Sequence, residues 1–139
     1  MTETIQVGPM TLRFLQDKDG TGGSLDMFEM TVPPGARMPV PHYHENWDET
    51  AYGIAGTMGF TIDGRDVAIG PGDSLFIPRG AVHGFYNRSD APATMLAVLS
   101  PGVLGPAYFR AVGALAAQGE PDPAAMAALM KQYGLVPVA

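Results

Sequence analysis

The chain has 139 residues, no cysteine and a formal net charge of −6; aliphatic and aromatic residues make up 46% of it and charged residues only 16%. Such a length buries about two thirds of its unfolded surface, so one domain can fold without disulfide or metal, and the composition excludes a disordered tail. The eight Lys and Arg are scattered from Arg13 to Lys131, which argues against nucleic acid and anionic membrane surfaces, both of which need clustered positive charge.

The N-terminal MTETIQVGPMTLRF lacks the basic start and apolar centre of a secretory signal, and no run approaches a bilayer span, so the expected compartment is the cytoplasm. Residues 10 to 15 and 25 to 32 are short, mostly alternating runs, separated by the turn-forming DKDGTGGS, and predict two strands. From Gly35 to Ser100 the runs VPHYH, TAYGIAGTMGFTI, RDVAI, SLFIP, AVHGFY and TMLAVLS are each bounded by Gly, Pro, Asp or Asn. Asp63-Gly64 marks a two-residue hairpin turn. About eight short antiparallel strands are expected, forming a sandwich or barrel.

The C-terminal part changes period. Pro106 suits a helix start, with Phe109, Val112 and Ala116 at helical spacing and an end near Gly119. Asp122 can cap a second helix, Pro123 fits its first turn, Gly134 can close it, and Met126, Leu129, Met130 and Tyr133 form one apolar stripe. The simplest fate of that stripe is packing against the outside of the barrel; a dimer contact is the alternative.

The stretch PHYHENWDE, residues 41 to 49, holds two of the three histidines in the chain. Alternate residues of a strand share a face, so His42 and His44 point one way and Tyr43 the other. Two neutral imidazoles with a carboxylate nearby suit a metal ion, held by nitrogen and oxygen alone since cysteine is absent, and a further ligand must come from elsewhere. His83 is the obvious source. Glu45 and Asp48 read as solvated loop acids. Trp47 fits equally a rim over a pocket mouth and local packing, and Arg79 is either a contact for an anionic substrate or an exposed turn residue.

Read from Gly72, the chain gives G, five residues, P, one, G, two, H, three, N; read from Gly35 it gives G, six residues, HxH, four, E, six, G. These stretches resemble the paired motifs of the cupin superfamily, the first-occurring one with an extra residue between Gly35 and His42. The resemblance implies an all-β fold, a cupin-type jelly-roll β-barrel over about residues 10 to 100, with short C-terminal α-helices packed outside over about 106 to 134, the whole chain 1 to 139 being one cupin domain. It implies that His42, His44, Glu49 and His83 hold one divalent transition metal, with Fe, Mn, Ni, Co and Zn equally compatible, and that the protein is a homodimer. Pro78 and Gly80 resemble the turn that delivers His83, and Gly56 and Gly72 resemble turn glycines.

Strand parity then outlines a substrate pocket. Ala51 and Gly53 share the face of Glu49, with Tyr52 and Ile54 opposite; Phe85 shares the face of His83, and Met38 and Val40 that of His42. A pocket of Met38, Val40, Ala51, Met58 and Phe85 favours an uncharged or aromatic small molecule. The leading expectation is a quercetinase-like dioxygenase for an enol, catechol or flavonol-like substrate, with Glu49 as ligand and proton acceptor. The alternatives are a metal-dependent isomerase, lyase or decarboxylase, and a non-catalytic small-molecule-binding module.

Overall fold

Apolar side chains at every second position drive most of this chain into strands. The computed structural model describes residues 2–38 and 40–138. Its strands are β1 (Glu3–Val7), β2 (Met10–Gln16), β3 (Asp26–Val32), β4 (His42–His44), β5 (Asp48–Ala55), β6 (Met58–Ile62), β7 (Arg65–Ile69), β8 (Ser74–Ile77), β9 (His83–Tyr86), β10 (Ala93–Ser100) and β11 (Leu135–Pro137); α1 (Pro106–Ala116) and α2 (Pro123–Gln132) separate the last two. One sheet runs β1-β2-β3-β10-β5-β8 and the other β11-β4-β9-β6-β7. All named pairings are antiparallel, the arrangement of a jelly-roll barrel.

The alternation is cleanest at the centre of the larger sheet. Phe28, Met30 and Val32 of β3 and Ala93, Met95, Ala97 and Leu99 of β10 are buried, with partly exposed residues between them. Full burial of one such large side chain contributes about 1.5–3 kcal/mol.

Among the described residues eleven strands form where about eight are expected, for three local reasons. The run 50 to 62 is two strands in different sheets, divided at Gly56, whose φ of +67° is left-handed and where a Cβ would lie 2.3 Å from the Pro92 carbonyl oxygen. β1 alternates correctly at Ile5 and Val7 but is short, and it returns to β2 through Gly8-Pro9. β11 has three residues and contains Pro137, so nothing local marks it as a strand. The Asp63-Gly64 hairpin forms as expected, with both residues at positive φ.

Both helices lie outside the sheets. Asp122 caps α2 by accepting from the Ala125 N–H at 3.1 Å, while Met126 and Met130 are buried and Leu129 and Tyr133 pack beside them. α1 ends at Ala116. It lies against β1 through Gly113, where a Cβ would stand 2.5 Å from the Gln6 carbonyl oxygen, and Arg110 pairs with Glu3 at 2.6 Å. Phe109 completes an aromatic cluster with Phe14 and Phe28, with ring centroids 5.7 and 5.1 Å away. No helix among the described residues is long and apolar enough to cross a membrane.

Candidate metal centre

β4 presents His42 and His44 on its buried face, and the antiparallel register of β4 with β9 sets His83 directly opposite His42. Cross-strand partners of this kind have Cβ atoms about 5 Å apart, so His83, distant in sequence, meets the His42 and His44 pair in one layer. Their ligand nitrogens all lie within 4.8 Å of one another, and all three residues are buried. Glu49 faces them from β5 of the other sheet, its Oε1 3.8 Å from His83 Nε2 and its side chain 12% exposed. It stands outside the tight group of three imidazoles.

Backbone carbonyls fix two of the rings. His42 Nδ1 lies 3.2 Å from the Val40 carbonyl and His83 Nδ1 3.0 Å from that of Ala81. With Nδ1–H donating to those oxygens, each Nε2 carries a lone pair turned toward the common centre. His42 Nε2 and His44 Nε2 are 3.0 Å apart. Two nitrogens each about 2.1 Å from one ion, at right angles, are separated by about 3 Å, so the donor set fits a divalent transition ion.

His44 is held differently. Among the described residues its Nδ1 has no hydrogen-bond partner; instead its ring stacks on Trp47, with centroids 4.7 Å apart and planes inclined by 25°. Trp47 is fully buried, so it is packing beneath the site and not a rim over the pocket.

Burial dominates the electrostatics. It pushes the His42 pKa down to about 3, with His83 reinforcing the shift and the Val40 carbonyl opposing it. His44 is pushed down to about 2 by burial, then by His83 and His42. These imidazoles stay neutral at ordinary pH, the form that binds metal. Burial raises the Glu49 carboxyl, against the pull of His83.

Arg79 is an exposed turn residue, one of its two expected accounts, and Asp48 at the start of β5 is its partner, which corrects the expectation of a solvated loop acid. The Asp48 carboxylate accepts from Arg79 Nε and Nη2, both at 3.1 Å, and from the Arg79 backbone N–H at 2.9 Å. Glu45 is exposed, as expected.

A cavity of about 380 Å³ opens from this centre, lined by His42, His44, Glu49 and His83 together with Met38 and Phe85 from the expected pocket. Val40, Ala51 and Met58 do not border it. Ala51 and Met58 are core residues, 0% and 2% exposed, and Val40 is half-buried beside the core. Most of the rest of the wall comes from inward residues of β2, β3 and β10, including Leu12, Phe28 and Met95, and from the C-terminal segment through Tyr108, Phe109, Val112, Met126 and Leu135, with Arg37 and Glu120 as its charged members. Sequence parity misses this helical wall; its one signal is the apolar stripe of each helix.

Comparison with known proteins places this geometry among relatives of several activities. Quercetin 2,3-dioxygenase of Bacillus subtilis is 34% identical over 112 residues, 80% of this chain but 32% of the dioxygenase, so the chain spans about a third of that relative's length. The structure of the polyketide cyclase RemF from Streptomyces resistomycificus shares 30% identity at a TM-score of 0.62, covering 71% of this chain and 73% of the cyclase. A predicted oxalate decarboxylase from Thermotoga maritima shares 26% at a TM-score of 0.64, covering 73% of this chain and 92% of that one. The family model described as the Cupin domain matches residues 28–99, a span from β3 through β10 that includes His42, His44, Glu49 and His83, and the chain belongs to the cupin family.

Proposed function

We propose that the protein is a metal-dependent enzyme acting on a largely apolar ring compound that bears an enol, catechol or flavonol-like oxygen, and that the reaction is dioxygenation. One observation carries this reading: three buried imidazoles and a carboxylate only 12% exposed share a cavity of about 380 Å³ whose other lining is mostly Phe, Met, Leu and Val. His42, His44 and His83 are the ligands, and Glu49 is the fourth. A bound Fe, Mn, Ni, Co or Zn ion supplies Lewis acidity, and a redox-active one among these supplies the electron chemistry that dioxygen requires.

The chain's own residues do the rest. The apolar wall excludes water and orients a flat ring by packing. Glu49, whose pKa is raised by burial, accepts the proton of a substrate hydroxyl at its carboxylate oxygen, and a carboxyl with a raised pKa is a stronger acceptor near neutral pH. The similarity to quercetin 2,3-dioxygenase supports the substrate class. A homodimer belongs to the same reading, and exposed Tyr52, Ile54 and Phe76 on adjacent β5 and β8 are apolar surface for it; light scattering after size exclusion tests that part.

The test is oxygen uptake by metal-loaded protein with flavonols, catechols and 1,3-dicarbonyls. Uptake that is lost in His83→Ala, along with the metal, supports the reading; no uptake with any of them overturns it. A second reading, non-oxidative chemistry such as cyclisation, isomerisation or decarboxylation at the same site, is favoured by the likeness to the polyketide cyclase. Turnover without oxygen separates the two.

A further inference from the structure

α1 lies outside the matched segment 28–99, yet it supplies a face of the cavity. Most of what it contributes is apolar. Tyr108 is the exception: it lines the cavity, is 5% exposed, and among the described residues its hydroxyl has no hydrogen-bond partner. Its ring is held edge-on by Phe109 and Tyr133, with centroids 5.1 and 5.4 Å away. The contact with Tyr133 ties it to the end of α2.

An unpaired buried hydroxyl is costly, and buried tyrosines usually find a partner. Trp47 Nε1 is the only side-chain nitrogen or oxygen among the described residues that is both fully enclosed and unpaired. The Tyr108 hydroxyl, equally unpaired, therefore touches open space, and the space this residue borders is the cavity.

We propose that Tyr108 is a substrate-binding residue, donating its hydroxyl hydrogen to a second oxygen of the ligand, remote from the one that reaches His42, His44 and His83. The assignment rests on the substrate class proposed above and refines it: the ligand is a ring compound with oxygen functions at two separated positions. Burial supports the donor role by pushing the Tyr108 hydroxyl pKa well above the ordinary phenol value, so the phenol keeps its proton. A donor fixed in a largely apolar stretch of wall discriminates against an analogue that lacks the matching oxygen, because the donor is then left unpaired.

The experiment measures binding of quercetin and of 3-hydroxyflavone to the metal-loaded protein without oxygen, for the wild type and for Tyr108→Phe. The second compound keeps the hydroxyl and ketone edge but lacks the remote hydroxyls. The wild type should prefer quercetin by roughly three- to tenfold, the worth of one neutral hydrogen bond. In Tyr108→Phe that preference should collapse, with metal content unchanged and the melting temperature of the ligand-free protein equal or higher.

An intact preference in Tyr108→Phe overturns the assignment. So does a lowered ligand-free melting temperature, which would show a structural hydrogen bond. Failure of both compounds to bind the wild type overturns the substrate class and this role together. A preference that collapses as expected, in a protein that consumes no oxygen, removes only the dioxygenase reaction and leaves Tyr108 in place.

Discussion

Asp48 grips Arg79 by its backbone N–H and its guanidinium together, and in doing so joins the first residue of β5 to the turn that leads into His83. The same turn is tied to β4, since the Gly80 N–H donates to the His44 carbonyl at 2.8 Å. Glu49 follows Asp48 directly, so this clamp sets the spacing between the carboxylate of one sheet and the imidazoles of the other. In Asp48→Ala the fold should persist while affinity for Co(II) or Zn(II) falls about tenfold, the usual scale for loss of a group that orients metal ligands. Metal titration checks this, with circular dichroism as the fold control. Unchanged affinity would reduce the clamp to a surface ion pair.

The pairing is invisible in the sequence because its two members are 31 positions apart and each alone looks like a loop charge. His42 and His44 are legible because the two-residue period of a strand places them on one face whatever the rest of the fold does. The same parity misleads about the pocket. It assigns a face but not a depth, so Ala51 and Met58 point inward as expected and end in solid core beyond the cavity. The helical wall is not legible locally either. An apolar stripe says that a helix packs, but Gly113 against β1 and Phe109 against Phe28 decide that it packs over the cavity. Motif spacing carries Glu49 and His83, and the structure sets them 3.8 Å apart across the two sheets.

The neutral imidazoles make the metal-free protein acid-sensitive. His42 and His44 have folded pKa values of about 3 and about 2, against an unfolded value near 6.5. The unfolded chain therefore binds more protons across that interval. Their contribution is fully present above about pH 6.5 and is lost as pH falls toward 3, at up to about 1.4 kcal/mol per pH unit for each histidine. Urea melts of chelated protein between pH 7 and 4 should show a midpoint falling with pH. The fall should be smaller in a His42→Gln variant, and a flat profile in both would contradict the buried neutral state.

Trp47 is the single tryptophan of the chain and stacks on His44, the imidazole with no carbonyl partner among the described residues. Replacing it with leucine removes the surface that fixes His44, so metal affinity should drop by about ten- to a hundredfold. Trp47→Phe, which keeps an aromatic face, should drop less. The wild-type emission should also change on metal binding in proportion to occupancy. Equal affinities in the leucine and phenylalanine variants would show that stacking does not position His44.

Gly56 divides the run that is read most easily as one strand. Its φ of +67° disfavours any side chain, and a Cβ there would meet the Pro92 carbonyl at 2.3 Å and the Ala93 Cα at 2.9 Å. Both neighbours are backbone, so neither can swing aside. Gly56→Ala should cost about 2–4 kcal/mol, combining left-handed strain with displacement of the chain before β10. Gly64→Ala provides the comparison: its φ is also positive, at +81°, but a Cβ there would meet no atom within 4 Å. It should lose only the conformational part, about 1–2 kcal/mol. Urea denaturation of the two variants separates the terms. Equal losses would mean that the switch of β5 and β6 between sheets depends on backbone conformation alone, and a larger loss at Gly56 locates it in the close approach to Pro92.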